Sequence, residues 1–364
     1  MDVAGRQIEP APGFRGLQMN IGIRVCIGVV IALLGALGAG RLHIPMPWML
    51  GALILTAVTK MAGSPGVCLP ALRNAGQWVI GASLGLYFTP AMVRLIAGNA
   101  PFILMGMLFA LVLCCLGTFM LTRFAGLDLR TAWFASAVGG ASEMTGLAER
   151  YGARPDMVAS AQSLRVLMVV LIIPFVFEVL GVSGEQAGAV LRPDFLYLPG
   201  LALLMLLSSA AGGLFQVLSL PNPWVLGPLL VVALLTYNDV VLSGLPVEMT
   251  NLGQLCIGWS LGDKFGSDFL RRAPRYLGVV AAANVLNLGL AFGFAYLLFR
   301  LSDIPYPTLA LGVSPGGIAA MAITAKVLQL GAPMVTSFQV ARMVFVLVMS
   351  GPLYQGLARL LHAD

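Results

Sequence analysis

Two short blocks carry the residues with chemistry to offer. In the first, Gly139-Gly140, Ser142 and Glu143 precede an apolar stretch that holds Gln162 and Arg165. In the second, at an offset of 177 residues, Ser314, Gly316 and Gly317 precede another with Gln339 and Arg342. Arg165 stands eight positions into its apolar stretch, roughly 12 Å along a helix. A charge at that depth of a bilayer costs roughly 2.5–3.5 kcal/mol on insertion scales, so it turns to the bundle interior and takes a partner. Gln162, at i−3, shares its face. Glu143 is the obvious counter-charge, but its counterpart is Ala320, which leaves two guanidinium groups for one carboxylate. Glycine pairs break helices, and the breaks add N–H groups and positive dipole ends. The expected chemistry is an anion-preferring site for a small solute, for instance a carboxylate, with Glu143 as a proton-coupling group. The blander reading makes Glu143 and Arg165 a buried structural pair and uses the glycines for close helix packing.

The elements that must position these residues are membrane helices. The 364 residues are 59% hydrophobic and 10% charged, with a mean hydropathy of +0.92, whereas a soluble domain has roughly 25% charged residues. Apolar runs at 21–39, 101–121 and 279–299 are each long enough to span roughly 30 Å of hydrocarbon as a helix. The ten-residue alternation of a membrane barrel is missing. A net charge of +6 would suit nucleic acid, but the basic residues are scattered singly between apolar runs, the distribution that topology demands. Residues 1–20 read as a polar arm, with no apolar core and cleavage site of a signal peptide. Cys26, Cys68, Cys114, Cys115 and Cys256 show no CxxC spacing and read as packed thiols; no metal or cofactor is expected.

Four landmarks recur in one order at an offset of 176 or 177 residues. Pro-x-Pro-Trp-x-Leu-Gly at 45–51 returns at 221–227, and Gly-Gln-x-x-Ile-Gly at 76–81 returns at 253–258. The Gly-Gly and Gln-x-x-Arg blocks follow. The chain therefore divides into an arm (1–20) and two repeats, 21–185 and 186–364. The first repeat offers apolar segments at 21–39, 46–62, 76–93, 99–121, 131–149 and 157–180, and the fifth of these, interrupted by Gly139-Gly140, is the weak one. If it does not cross, each half has five crossings and the second half is inverted. Cytoplasmic loops are enriched in Lys and Arg. Five crossings with a cytoplasmic N-terminus put 13 of these residues inside and 5 outside, while six crossings give 9 and 9. The expectation is an all-α membrane protein with about ten transmembrane helices in two inverted five-crossing repeats, each with a broken or re-entrant segment. Such architecture belongs to secondary transporters, whose interrupted helices mark the solute site. Gln77 and Gln254 on the third segments are read as cavity-lining, with Asn74, Ser83, Asn251 and Ser260 beside them; hydrogen bonding between helices explains them equally well.

In combination these motifs resemble the membrane AbrB family, whose Gram-negative members look like two copies of one hydrophobic unit. The resemblance covers essentially the whole chain, through Pro-Trp-x-Leu-Gly, Gly-Gln-x-x-Ile-Gly, Gly-Gly-Ala-Ser-Glu-Met and the Gln-x-x-Arg helix. It shares only a name with the small DNA-binding AbrB repressors. It implies a regulator of gene expression and also carries an ammonia monooxygenase label. The oxygenase label is the weakest reading, because His43 and His362 are the only histidines and no carboxylate or thiolate cluster replaces them.

The functional expectation is a secondary permease or exporter of a small solute in a bacterial inner membrane, both termini cytoplasmic, acting on gene expression indirectly. No P-loop is found, so an ion or solute gradient would drive it. The rival is a membrane-embedded regulator or sensor that moves nothing. Expected partners are membrane lipid and a small-molecule solute, without direct nucleic-acid contact; association into a homo-oligomer is left open.

Overall fold

In an apolar surround every backbone N–H and C=O needs an internal partner, and the chain answers with helices. The computed structural model describes residues 20–182, 196–266 and 274–360, which form fifteen helices and no strand. The polar arm up to residue 19, the repeat boundary at 185–186, Arg192, Arg271, Arg272 and His362 lie outside the described residues. Among the described residues six helices are long and apolar enough to cross a membrane: α1 (Ile21–Arg41), α5 (Ala100–Ala125), α8 (Pro155–Val179), α9 (Leu198–Val217), α12 (Pro274–Leu301) and α15 (Ala332–Leu360). The chain is a multi-pass, all-α membrane protein.

Four helices are of intermediate length. α2 (Pro47–Met61) and α10 (Pro223–Tyr237) have 15 residues, and α3 (Pro70–Gly85) and α11 (Val247–Gly262) have 16. At 1.5 Å per residue they reach only about 22–24 Å. The third apolar segment, expected as one span at 76–93, starts earlier and bends by 89° into α4 (Pro90–Gly98). Pro90 has no N–H with which to continue α3, and Thr89 Oγ1 restarts the helix by accepting from Met92 N at 3.3 Å.

The fifth segment of each half is a hairpin. α6 (Leu129–Ser136) stops, residues 137–140 run extended, and α7 (Ala141–Arg150) resumes. The hairpin starts and ends at one level, because Thr131 Oγ1 accepts from the N–H of Arg154 at 3.1 Å and the Phe134 ring lies 5.3 Å from that of Tyr151. α13 (Tyr306–Val313) and α14 (Ile318–Val327) repeat the arrangement, closed by Thr308 Oγ1, which donates to Leu330 O at 2.8 Å.

By their packing the helices fall into two groups. One holds α1, α2, α3, α9, α10 and α11; the other holds α5 to α8 and α12 to α15, with α4 between them. In the first group bare backbone is the joint. Gly81 of α3 lies against the carbonyl of Val225 on α10, and Gly258 of α11 lies against that of Met49 on α2, each so close that an added Cβ has no room. The equivalent glycines Gly76 and Gly253 face each other where α3 crosses α11.

Candidate functional site

A helix that stops at Ser136 leaves carbonyls of its last turn without their i+4 amides, and apolar surroundings offer no water to replace them. Gln162 and Arg165 on α8 supply the donors. Gln162 Nε2 donates to the carbonyls of Phe134 (2.9 Å), Ala135 (3.3 Å) and Ala137 (2.9 Å). Arg165 donates to Ala137 O at 2.8 Å and Gly139 O at 3.0 Å. The second tip repeats this at an offset of 177: Gln339 donates to Leu311, Gly312 and Ser314, and Arg342 to Ser314 and Gly316. Arg342 also donates to the side-chain oxygen of Gln339, whereas Gln162 Oε1 has no partner. Both glutamines are 0% exposed and both arginines 4%.

The two tips meet at a cavity of about 400 Å³ between the helix groups. From the first tip it is lined by Gly139, Gly140, Ser142 and Glu143, from the second by Gly316 and Gly317, and from the long helices by Arg165 and Arg342. The opposite wall comes from the shorter helices. Arg73, Asn74 and Gln77 stand on α3, Asn222 and Trp224 at the start of α10, and Ser260 and Lys264 at the end of α11. The first turns of α7 and α14 also line it, so their N–H groups and positive dipole ends are at the cavity.

Four cations therefore share the cavity with one carboxylate. Among the described residues the ion pairs are Lys60–Asp263 (3.1 Å) and Arg154–Asp156 (3.8 Å), and neither involves a cavity residue. The Glu143–Arg165 pair of the blander reading is not formed. The guanidinium is committed to hairpin carbonyls, and Glu143 Oε1 accepts instead from Asn222 N at 3.3 Å, at the start of α10. Lys264 has Glu143 as an attractive neighbour and Arg73 as a repulsive one.

Nine of the thirteen residues singled out from the sequence line this cavity. Four do not. Gln162 and Gln339 sit behind the tips, Ser314 turns its hydroxyl back to Ala310 O, and Gln254 is 7% exposed and packed away while its counterpart Gln77 faces the cavity. Sequence reasoning did not single out Arg73, Lys264, Asn222 or Trp224 as cavity residues. The available signal was the Pro-x-Pro-Trp turn itself. Its middle residue is left-handed in both copies, at φ 50° for Met46 and 44° for Asn222, a property that only the structure reveals. Among the described residues no three His, Cys, Asp or Glu side chains gather as a metal site would need.

The family model described as "Transition state regulatory protein AbrB" matches residues 67–358. A protein of Escherichia coli (strain K12) described as "Putative regulator AbrB" is 29% identical over 329 residues, covering 89% of this chain and 93% of its own length. "Uncharacterized protein YhjN" of Bacillus subtilis (strain 168) is 26% identical over 365 residues, covering 94% of this chain and 92% of its own.

Proposed function

We propose, from the premise that the chain belongs to the AbrB family, that it is a secondary permease or exporter of a small anionic solute in a bacterial inner membrane. The observation that carries this reading is the cavity at which two broken-helix tips and two intramembrane arginines converge. Three helix starts and four cations against one carboxylate favour an anion there. Hairpins that start and end at one level support five crossings per half, ten in all. An odd number of crossings inverts the second repeat and leaves both termini cytoplasmic, the arrangement that the Lys and Arg distribution favours. Glu143 is the proton-coupling group of this reading.

The relative's description as a regulator favours a second reading, a membrane-embedded sensor that binds the solute and moves nothing. The two diverge in proteoliposomes. Purified full-length protein should take up at least one anion from a panel of carboxylates, phosphate, amino acids and amines. Saturable binding of an anion without flux of any panel member would sink the permease reading and leave the sensor. On the permease reading, gene expression responds to the concentration of the solute moved.

A further inference from the structure

We infer that the protein has a second state, in which the cavity opens at a counterpart mouth framed by Thr250, Met46 and Ser83 while the present mouth shuts, and that Lys326 latches the present state. The inference rests on the transport reading for its purpose, since exchange between two mouths is what lets a solute cross. Its geometry stands on contacts of this chain.

Arg73, Gln77, Asn222 and Ser260 line the cavity on the short-helix side and are all partly exposed, which puts the present mouth beside them. Each has a counterpart 176 or 177 residues away, and every counterpart is packed: Thr250 is 7% exposed, Gln254 7%, Met46 2% and Ser83 2%. The joints inside the short-helix group are the same in both halves, as Gly81 on Val225 and Gly258 on Met49 show. The side-chain bonds to the carbonyls of the two tips match as well. The halves differ where the groups touch. α14 packs against α3, and Lys326 Nζ donates to Ser83 Oγ at 2.6 Å. The counterpart arm α7 has no comparable packing on α11; Glu149, the counterpart of Lys326, is exposed, and Ser260, the counterpart of Ser83, faces the cavity.

Two matched scaffolds with an unmatched joint between α14 and α3 describe a pair of packings, of which one is occupied. Rigid rocking of the short-helix group would release α14 from α3 and seat α7 on α11, without repacking either group. Glu149 would then accept from the Ser260 hydroxyl, as Lys326 now donates to Ser83. A charge-assisted hydrogen bond is a small enough restraint for such a transition to reverse.

The test uses full-length protein without its five cysteines, carrying Thr250→Cys or Ser260→Cys as a reporter, in proteoliposomes with a membrane-impermeant maleimide. Removing the latch with Lys326→Ala should raise labelling at position 250 about tenfold or more, since the charge-assisted hydrogen bond to Ser83 is lost with the side chain. Labelling at position 260 should fall in the same preparation, and Lys326→Arg should restore the original pattern. A rise at both positions means loosening rather than exchange and overturns the inference, as does no change at either. Solute flux is read in parallel. Reciprocal labelling without flux of any panel solute would remove the transport reading and keep the two states; flux without reciprocal labelling would do the reverse.

Discussion

Thr131 Oγ1 takes a hydrogen bond from the backbone N–H of Arg154 at 3.1 Å, across 23 residues of broken helix. That one contact turns a segment with the length of a span into a hairpin. It brings the chain back to the level at which it started, and leaves the extended residues 137–140 as a tip inside the helix bundle.

Removing the hydroxyl tests how much the closure contributes. Thr131 is 0% exposed and its bond to the Arg154 N–H is part-buried, so Thr131→Val takes the acceptor from that N–H and should cost about 1 kcal/mol. Thr308→Val strands the carbonyl of Leu330 in the second hairpin and should cost a similar amount. Thermal unfolding in detergent reads both, and unchanged midpoints would mean that side-chain packing alone closes the hairpins.

Gln162 and Gln339 are predicted to matter for folding rather than for solute recognition. Each holds three tip carbonyls from a position with no access to the cavity. Gln162→Leu should therefore lose roughly 3 kcal/mol or more, because several buried acceptors lose their donor together. A variant that kept its melting point but lost solute affinity would contradict this assignment.

Gly140→Ala and Gly317→Ala should behave differently despite their equivalent places. A Cβ on Gly140 runs into the carboxylate of Glu143, while one on Gly317 meets nothing within 4 Å. Both glycines have ordinary negative φ, −71° and −87°, so alanine is tolerated by the backbone. Gly140→Ala should shift the flexible Glu143 side chain, cost well under about 1 kcal/mol in stability, and alter uptake; Gly317→Ala should leave uptake unchanged.

Glu143→Gln removes the cavity's carboxylate without breaking an ion pair. Stability should change by less than about 1 kcal/mol, the range for a group whose one bond an amide oxygen can still accept. Uptake should lose its dependence on pH, since the amide cannot take up a proton. Persistence of the wild-type pH profile would take proton coupling away from this residue.

Lys264→Gln and Arg73→Gln probe the mouth. Lys264 is exposed and Arg73 partly so, which limits each to roughly 0.5–1 kcal/mol of anion attraction, a few-fold rise in KM. The effect should shrink as salt rises, because exposed charges are screened. Equal KM at low and high salt would show that the anion does not pass these side chains.

The sequence alone determined the helical membrane character of the chain, the positions of its two breaks, and the Gln-x-x-Arg pairs beside them. These are local properties: an 18-residue apolar run, a glycine pair and a charge at depth act on the backbone within a few turns of themselves. What the arginines do there was a matter for the tertiary structure. An intramembrane guanidinium takes the nearest acceptors, and those are the carbonyls left bare by the helix break, so Glu143 finds its partner on α10 instead. The same holds for the cavity's opposite wall. Arg73 comes from the first repeat and Asn222, Trp224 and Lys264 from the second, and they become one surface when α3, α10 and α11 pack through glycine joints. Gln77 and Gln254 occupy equivalent places in the sequence, yet one faces the cavity and the other is buried. A repeat specifies what its two copies share; only the contact between helix groups decides which copy stands open.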